Sequence, residues 1–69
     1  MGEKKIRVFS EIIPAKDTKI FDEFVCKIFV FCGRWKTEPK IQFNQSSAII
    51  GTKMLTHHTA IVEYEQNGS

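Results

Sequence analysis

Few side chains in this sequence could do chemistry: Cys26 and Cys32, the adjacent His57 and His58, the polar run Asn44, Gln45, Ser46 and Ser47, and a cationic cluster around Trp35. The cysteines stand six apart. On a helix their directions differ by about 120°, which suits neither a disulfide nor two ligands of one metal. They read as core or near-core thiols. Adjacent histidines on a strand point to opposite faces, so they cannot share a metal without a bulge. No cysteine stands at zinc-site spacing. The expectation is no metal and no cofactor.

Catalysis has no better footing. Ser46 or Ser47 with a histidine and Glu63 supplies the members of a nucleophile–base–orienter set, but no nucleophile elbow frames them. The sequence has no glycine-rich phosphate loop, and Asp22 with Glu23 reads as ordinary helix acids. No catalytic residue is expected, and no enzyme.

Two constellations suit binding instead. Arg34, Lys36 and Lys40 flank Trp35, and a planar aromatic among cations can stack on a base and pair with phosphate. The alternative is that Trp35 caps the core face of a helix while Arg34 and Lys36 are solvated. In the polar run, Gln45 and Ser47 would need partners if they faced a helix beside Phe43 and Ile49, because an unpaired buried polar group costs about 1–3 kcal/mol. His58 on the next strand, or a bound ligand, could be one such partner; a β-bulge is the alternative. The candidate ligand contacts are therefore Arg34, Trp35, Lys36, Ser47 and His58.

Four elements must position these residues. Residues 4–13 alternate, with Ile6, Val8 and Ile12 on one side and Arg7, Phe9 and Ile13 on the other, and Pro14 ends the strand. Asp17 or Thr18 can cap a helix over about 18–34. The apolar stretch KIFVFC at its centre has strand-like composition. Placed on a helix, however, the segment gathers Phe21, Phe24, Val25, Ile28, Phe29, Phe31, Cys32 and Trp35 on an arc of about 180°. As a strand it segregates nothing, so the helix wins. Strands at 39–50 and 56–65 follow, with a hairpin-like turn at 51–54.

The order strand, helix, strand, strand predicts an α+β domain: a single helix packed on one face of a small three-stranded sheet (βαββ). Ile6, Val8, Ile41, Phe43, Ile49, Ala60 and Val62 are expected to meet the helix, with Phe9, Ile50 and Ile61 on the far side. The helix's arc is wider than one sheet needs, so a homo-oligomer is expected, with Ile20, Phe29, Phe31, Phe9 and Ile61 as interface residues.

The totals agree with one small domain. At 69 residues the chain buries a modest share of its surface, and such chains lean on disulfides, metals or self-association. Two cysteines in one apolar segment point to a reducing setting, read as cytoplasmic. Residues 1–5 show no signal-peptide pattern, and no apolar run approaches the ~20 residues that span a bilayer. Net charge is +2 with a pI of about 8.7, mild for a dedicated nucleic-acid domain. A membrane partner is not expected, and nucleic acid is disfavoured.

Together KIRVFSE, the capped helix, PKIQFNQSSAII and HTAIVEYE resemble a family of very small sporulation proteins of endospore-forming bacteria, many of whose relatives are carried by phages. The corresponding stretches are residues 5–9, 20–31, 41–47 and 59–64. The basic connection GRWKTEPK and the paired histidines depart from the family pattern. The resemblance implies a βαββ fold, a bacterial or phage setting and a binding role, with no catalytic residue to carry over. The functional expectation is a small non-catalytic binding protein, phage- or prophage-encoded, that sequesters or inhibits a host factor. The leading form is capture of a small anionic, nucleotide-derived immune signal at a homo-oligomer interface. The alternatives are a protein–protein inhibitor or sporulation accessory factor acting on a host protein, and a weak nucleic-acid binder.

Overall fold

The computed structural model describes residues 2–67. Strand β1 (Gly2–Pro14) leads into helix α1 (Thr18–Cys32), followed by β2 (Lys40–Ile50) and β3 (Lys53–Asn67). The three strands form one antiparallel sheet in the order β1-β3-β2, and the helix lies on one face. This is the expected α+β arrangement, with β3 central and both edges free.

Local chemistry sets the boundaries. The Asp17 carboxylate accepts the Ile20 N–H at 3.0 Å and starts the helix. It ends at Cys32, two residues short of expectation, where the Gly33 N–H returns to the Phe29 carbonyl at 2.9 Å. The hairpin closes in two residues, Gly51 and Thr52, between the paired Ile50 and Lys53. Gly51 has φ +66°, a left-handed conformation that only glycine adopts without strain. Consequently β3 begins three residues earlier than the sequence suggests.

Register decides the faces. Across β1 and β3, Phe9 stands opposite Ala60, Arg7 opposite Val62 and Ile13 opposite Thr56. Ala60 and Val62 are fully buried, and Phe9 and Ile13 join them beneath the helix, with Phe24, Ile28 and Phe31 above. This reverses the expected orientation of β1: Phe9 is 6% exposed, whereas Ile6 and Val8 are 67% and 56% exposed on the open face. The cause is volume. Both faces of β1 carry apolar residues, but a phenylalanine fills the space over small Ala60 and meets Phe31 edge-on at 5.6 Å. Phe9 and Phe31 thus belong to the core of the single chain and are corrected as interface residues. Ile20 and Phe29 stay exposed on the helix, and Ile61 is half-buried on the open face opposite Val8.

A second correction concerns β2. The helix packs over β1 and β3, and no helix Cα comes within 8 Å of a β2 Cα. Of the expected inner residues of β2, Ile41 packs against the core, but Phe43 and Ile49 are 54% and 70% exposed. The dimensions explain why. Fifteen helical residues span about 22 Å, while fifteen extended residues of β3 span about 50 Å, matching the 51 × 18 × 14 Å extents of the chain. One short helix cannot cover so long a sheet. The surface area is 5526 Å², against about 4,450 Å² for a compact monomer of this mass. The radius of gyration is 14.6 Å, against about 11 Å for a compact chain of this length.

Candidate functional site

The uncovered inner face of β2 and the flank of α1 enclose a trough. It consists of two depressions of about 510 and 270 Å³ that share Phe21, Gln45 and His58. The larger is aromatic, with Phe21, Phe24, Val25 and Phe29 from the helix and Phe43 from β2. The helix supplies this wall because Phe21, Val25 and Phe29 recur every fourth residue, one above another. The smaller is mixed: Gln45, Ser47, Thr56 and His58 from the strands and Asp17 and Thr18 from the helix start stand beside Ile13, Pro14, Ala15 and Phe21.

His58 and Gln45 stand opposite each other in the β3–β2 register, at the junction of the two depressions. The imidazole lies 4.8 Å from the Phe21 ring and 6.1 Å from that of Phe24, centroid to centroid. Ser47 bonds hydroxyl to hydroxyl with Thr56 at 3.0 Å, so its partner is Thr56 and not His58. The β2–β3 register runs unbroken, so the polar run contains no bulge. His57 points to the opposite face, as alternation requires, and its Nε2 pairs with Ser10 Oγ at 2.6 Å.

The remaining predicted contacts sit at the other end. Residues 33–39 carry the chain from the helix end to the start of β2, beyond the residues that line the trough, and Arg34 and Lys36 are exposed there. Trp35 is half-buried: it stacks on Tyr64 at 4.7 Å and meets Phe31 edge-on at 5.6 Å. The ring is occupied as a cap on the core, the alternative raised from the sequence, and its indole N–H is buried without a hydrogen-bond partner. Arg34, Trp35 and Lys36 are therefore separated from Ser47 and His58 by about the helix length, some 20 Å. One small ligand cannot touch both groups within a single chain.

Charge follows the same division. Lys4, Lys40, Glu38, Glu63 and Glu65 border a shallow depression at the loop end, where Lys5, Arg7, Arg34 and Lys36 also gather. At the opposite end the Asp17 carboxylate already occupies the helix N-terminus, so that dipole is not free to hold a phosphate.

Sequence reasoning missed two contributors. The first is Arg7, whose guanidinium lies 4.6 Å from the Phe9 centroid and 4.7 Å from that of Phe31, roofing the aromatic cluster. The alternation of β1 contained that signal once Phe9 was turned inward. The second is Phe43, which lines the trough because the helix stands back from β2, a placement no local pattern records. Cys26 is exposed, away from the core position expected of it, while Cys32 is half-buried and burial pushes its thiol pKa up. Among the described residues, no three His, Cys, Asp or Glu side chains converge to hold a metal ion, and no helix is long and apolar enough to cross a membrane. Comparison with protein-family models, curated proteins and solved structures finds no match to this chain.

Proposed function

We propose that the protein is a small non-catalytic binding protein, phage- or prophage-encoded, that sequesters a host factor. In this reading the captured factor is a small nucleotide-derived anion, held where copies of the chain meet. The observation that carries the reading is the trough: four phenylalanine rings beside the amide of Gln45 and the imidazole of His58. Aromatic faces stack bases, each stacked base contributing about 1–3 kcal/mol, and an amide and an imidazole can hydrogen-bond base edges. Its size falls in the range of small-molecule sites, about 300–1,000 Å³. The cations Arg34, Lys36 and Lys40 offer partners for phosphate at the loop end. The phage setting rests on the family resemblance alone.

The test is titration of the purified protein with cyclic and linear mono- and dinucleotides, followed by calorimetry and thermal melting. A binder is expected to raise the melting temperature, by linkage worth about 2.7 kcal/mol at a hundredfold excess over Kd. Phe43→Ala and His58→Ala should each weaken binding without unfolding the chain. A panel without heat or melting shift would overturn nucleotide capture.

The open sheet face favours a second reading, docking on a host protein. It exposes Ile6, Val8 and Ile12 in a row along β1, and apolar groups so arranged mark protein contacts. Alanine at Val8 and Ile12 would then abolish partner capture and leave nucleotide binding intact.

A further inference from the structure

We propose that two copies of the chain pair β2 with β2 across a two-fold axis, joining their sheets into six continuous strands and completing the trough between them. The pairing rests on the edge chemistry and surface area of the chain. Only the identity of the ligand rests on the nucleotide-capture reading.

The sheet has two free edges, and they differ. β1 carries Glu3, Lys4, Lys5, Arg7, Glu11 and Pro14, the charges and proline by which edge strands repel further pairing. β2 carries none of these after Lys40: residues 41–50 include no charged side chain and no proline, and no bulge interrupts the register. On the side away from β3, about every second residue of β2 thus presents an unpaired backbone donor and acceptor. A strand that pairs antiparallel with its own copy makes an isologous, closed contact. Centred on Gln45, the midpoint of β2, the pairing sets Ile41 against the partner's Ile49, Phe43 against the partner's Ser47 and Gln42 against the partner's Ala48, with no like charges opposed.

The area agrees. The lone chain exposes roughly 1,100 Å² more than a compact monomer of its mass, and a stable interface takes about 800 Å² from each partner. Because each helix stands back from its own β2, two helices would run antiparallel along the sides of one channel floored by the paired strands. Phe21, Val25 and Phe29 of each copy form its walls. The two-fold reverses the second copy, so the Arg34–Lys36 loop of one chain lies toward the Ser47 end of the other. His58, level with the axis opposite Gln45, stays as far along the strands from the partner's loop as from its own, so what the two copies share is the aromatic channel and not the Arg34–Lys36 cations.

The experiment is light scattering on size-exclusion chromatography with two charge variants, Gln42→Lys/Ala48→Lys and Gln42→Glu/Ala48→Glu. Both positions lie exposed on the open face, clear of the core. The wild type is expected at twice the 8.0 kDa chain mass. Each variant alone should dimerise about ten-fold more weakly or worse, since it opposes like charges directly. An equimolar mixture should restore the dimer, which also shows that both variants keep their fold.

A wild-type mass of one chain would overturn the pairing. So would variants that dimerise alone as tightly as wild type, a mixture that fails to recover, or a mass that grows without limit on concentration. Nucleotide titration separates the two claims. A wild-type dimer that binds no nucleotide keeps the pairing and removes the capture reading. A monomeric lysine variant that binds nucleotide as tightly as wild type removes the shared site and keeps the capture reading.

Discussion

Phe9 lies over Ala60 on the central strand, with the Phe31 ring edge-on and the Arg7 guanidinium above it. Its neighbour Val8 faces the open side of the same strand. The two therefore answer differently to truncation. Phe9→Ala removes a buried ring and leaves a cavity, and should cost about 3–5 kcal/mol; Val8→Ala should stay within about 0.5 kcal/mol. Urea unfolding of the two variants measures the difference, and equal losses would reverse the orientation of β1. Of the whole core, this orientation was the least legible in the sequence. The alternation of β1 places isoleucine or phenylalanine on either side, and only the volume demanded by Ala60 and Phe31, contacts far apart in the chain, chooses between them. On β3, by contrast, His58, Ala60, Val62 and Tyr64 share a face in sequence and in structure, because small and branched residues there alternate with Glu63 and His57.

At the scale of elements, the helix was legible despite the strand-like composition of residues 27–32. Its apolar residues gather on one side only at helical spacing, and Asp17 marks its start. Asp17→Ala removes the acceptor of the Ile20 N–H and should cost about 1 kcal/mol, within the 0.5–2 kcal/mol range of such caps. Urea denaturation with an unchanged slope would show the loss to be one of stability alone. What the sequence did not carry is where the helix rests. Its 180° apolar arc is shared between core residues, Phe24, Ile28 and Phe31, and a flank, Phe21, Val25 and Phe29, on the β2 side, where no helix Cα comes within 8 Å of a β2 Cα. That division follows from β3 being central and from the helix seating on β1, both set by long-range pairing. For the same reason Ser47 and His58 line the trough while Arg34, Trp35 and Lys36 lie beyond it, past the helix end.

For the whole molecule, the governing quantity is the mismatch between a sheet about 50 Å long and a helix about 22 Å long. The chain buries too little of itself for its mass. If association supplies the missing cover, the thermal midpoint must depend on protein concentration, because folding and assembly share one equilibrium. Melting curves across a wide dilution series should shift steadily to lower temperature. A midpoint indifferent to dilution would mean that the single chain is stable as it stands.

Trp35 is the sole tryptophan, and it lies stacked on Tyr64 in the loop that joins the helix to β2. The chain therefore carries its own optical gauge where the loop seals the aromatic core. Any event that lifts the loop must pull these coupled chromophores apart, changing the near-ultraviolet ellipticity and the colour of the emission together, with no label attached.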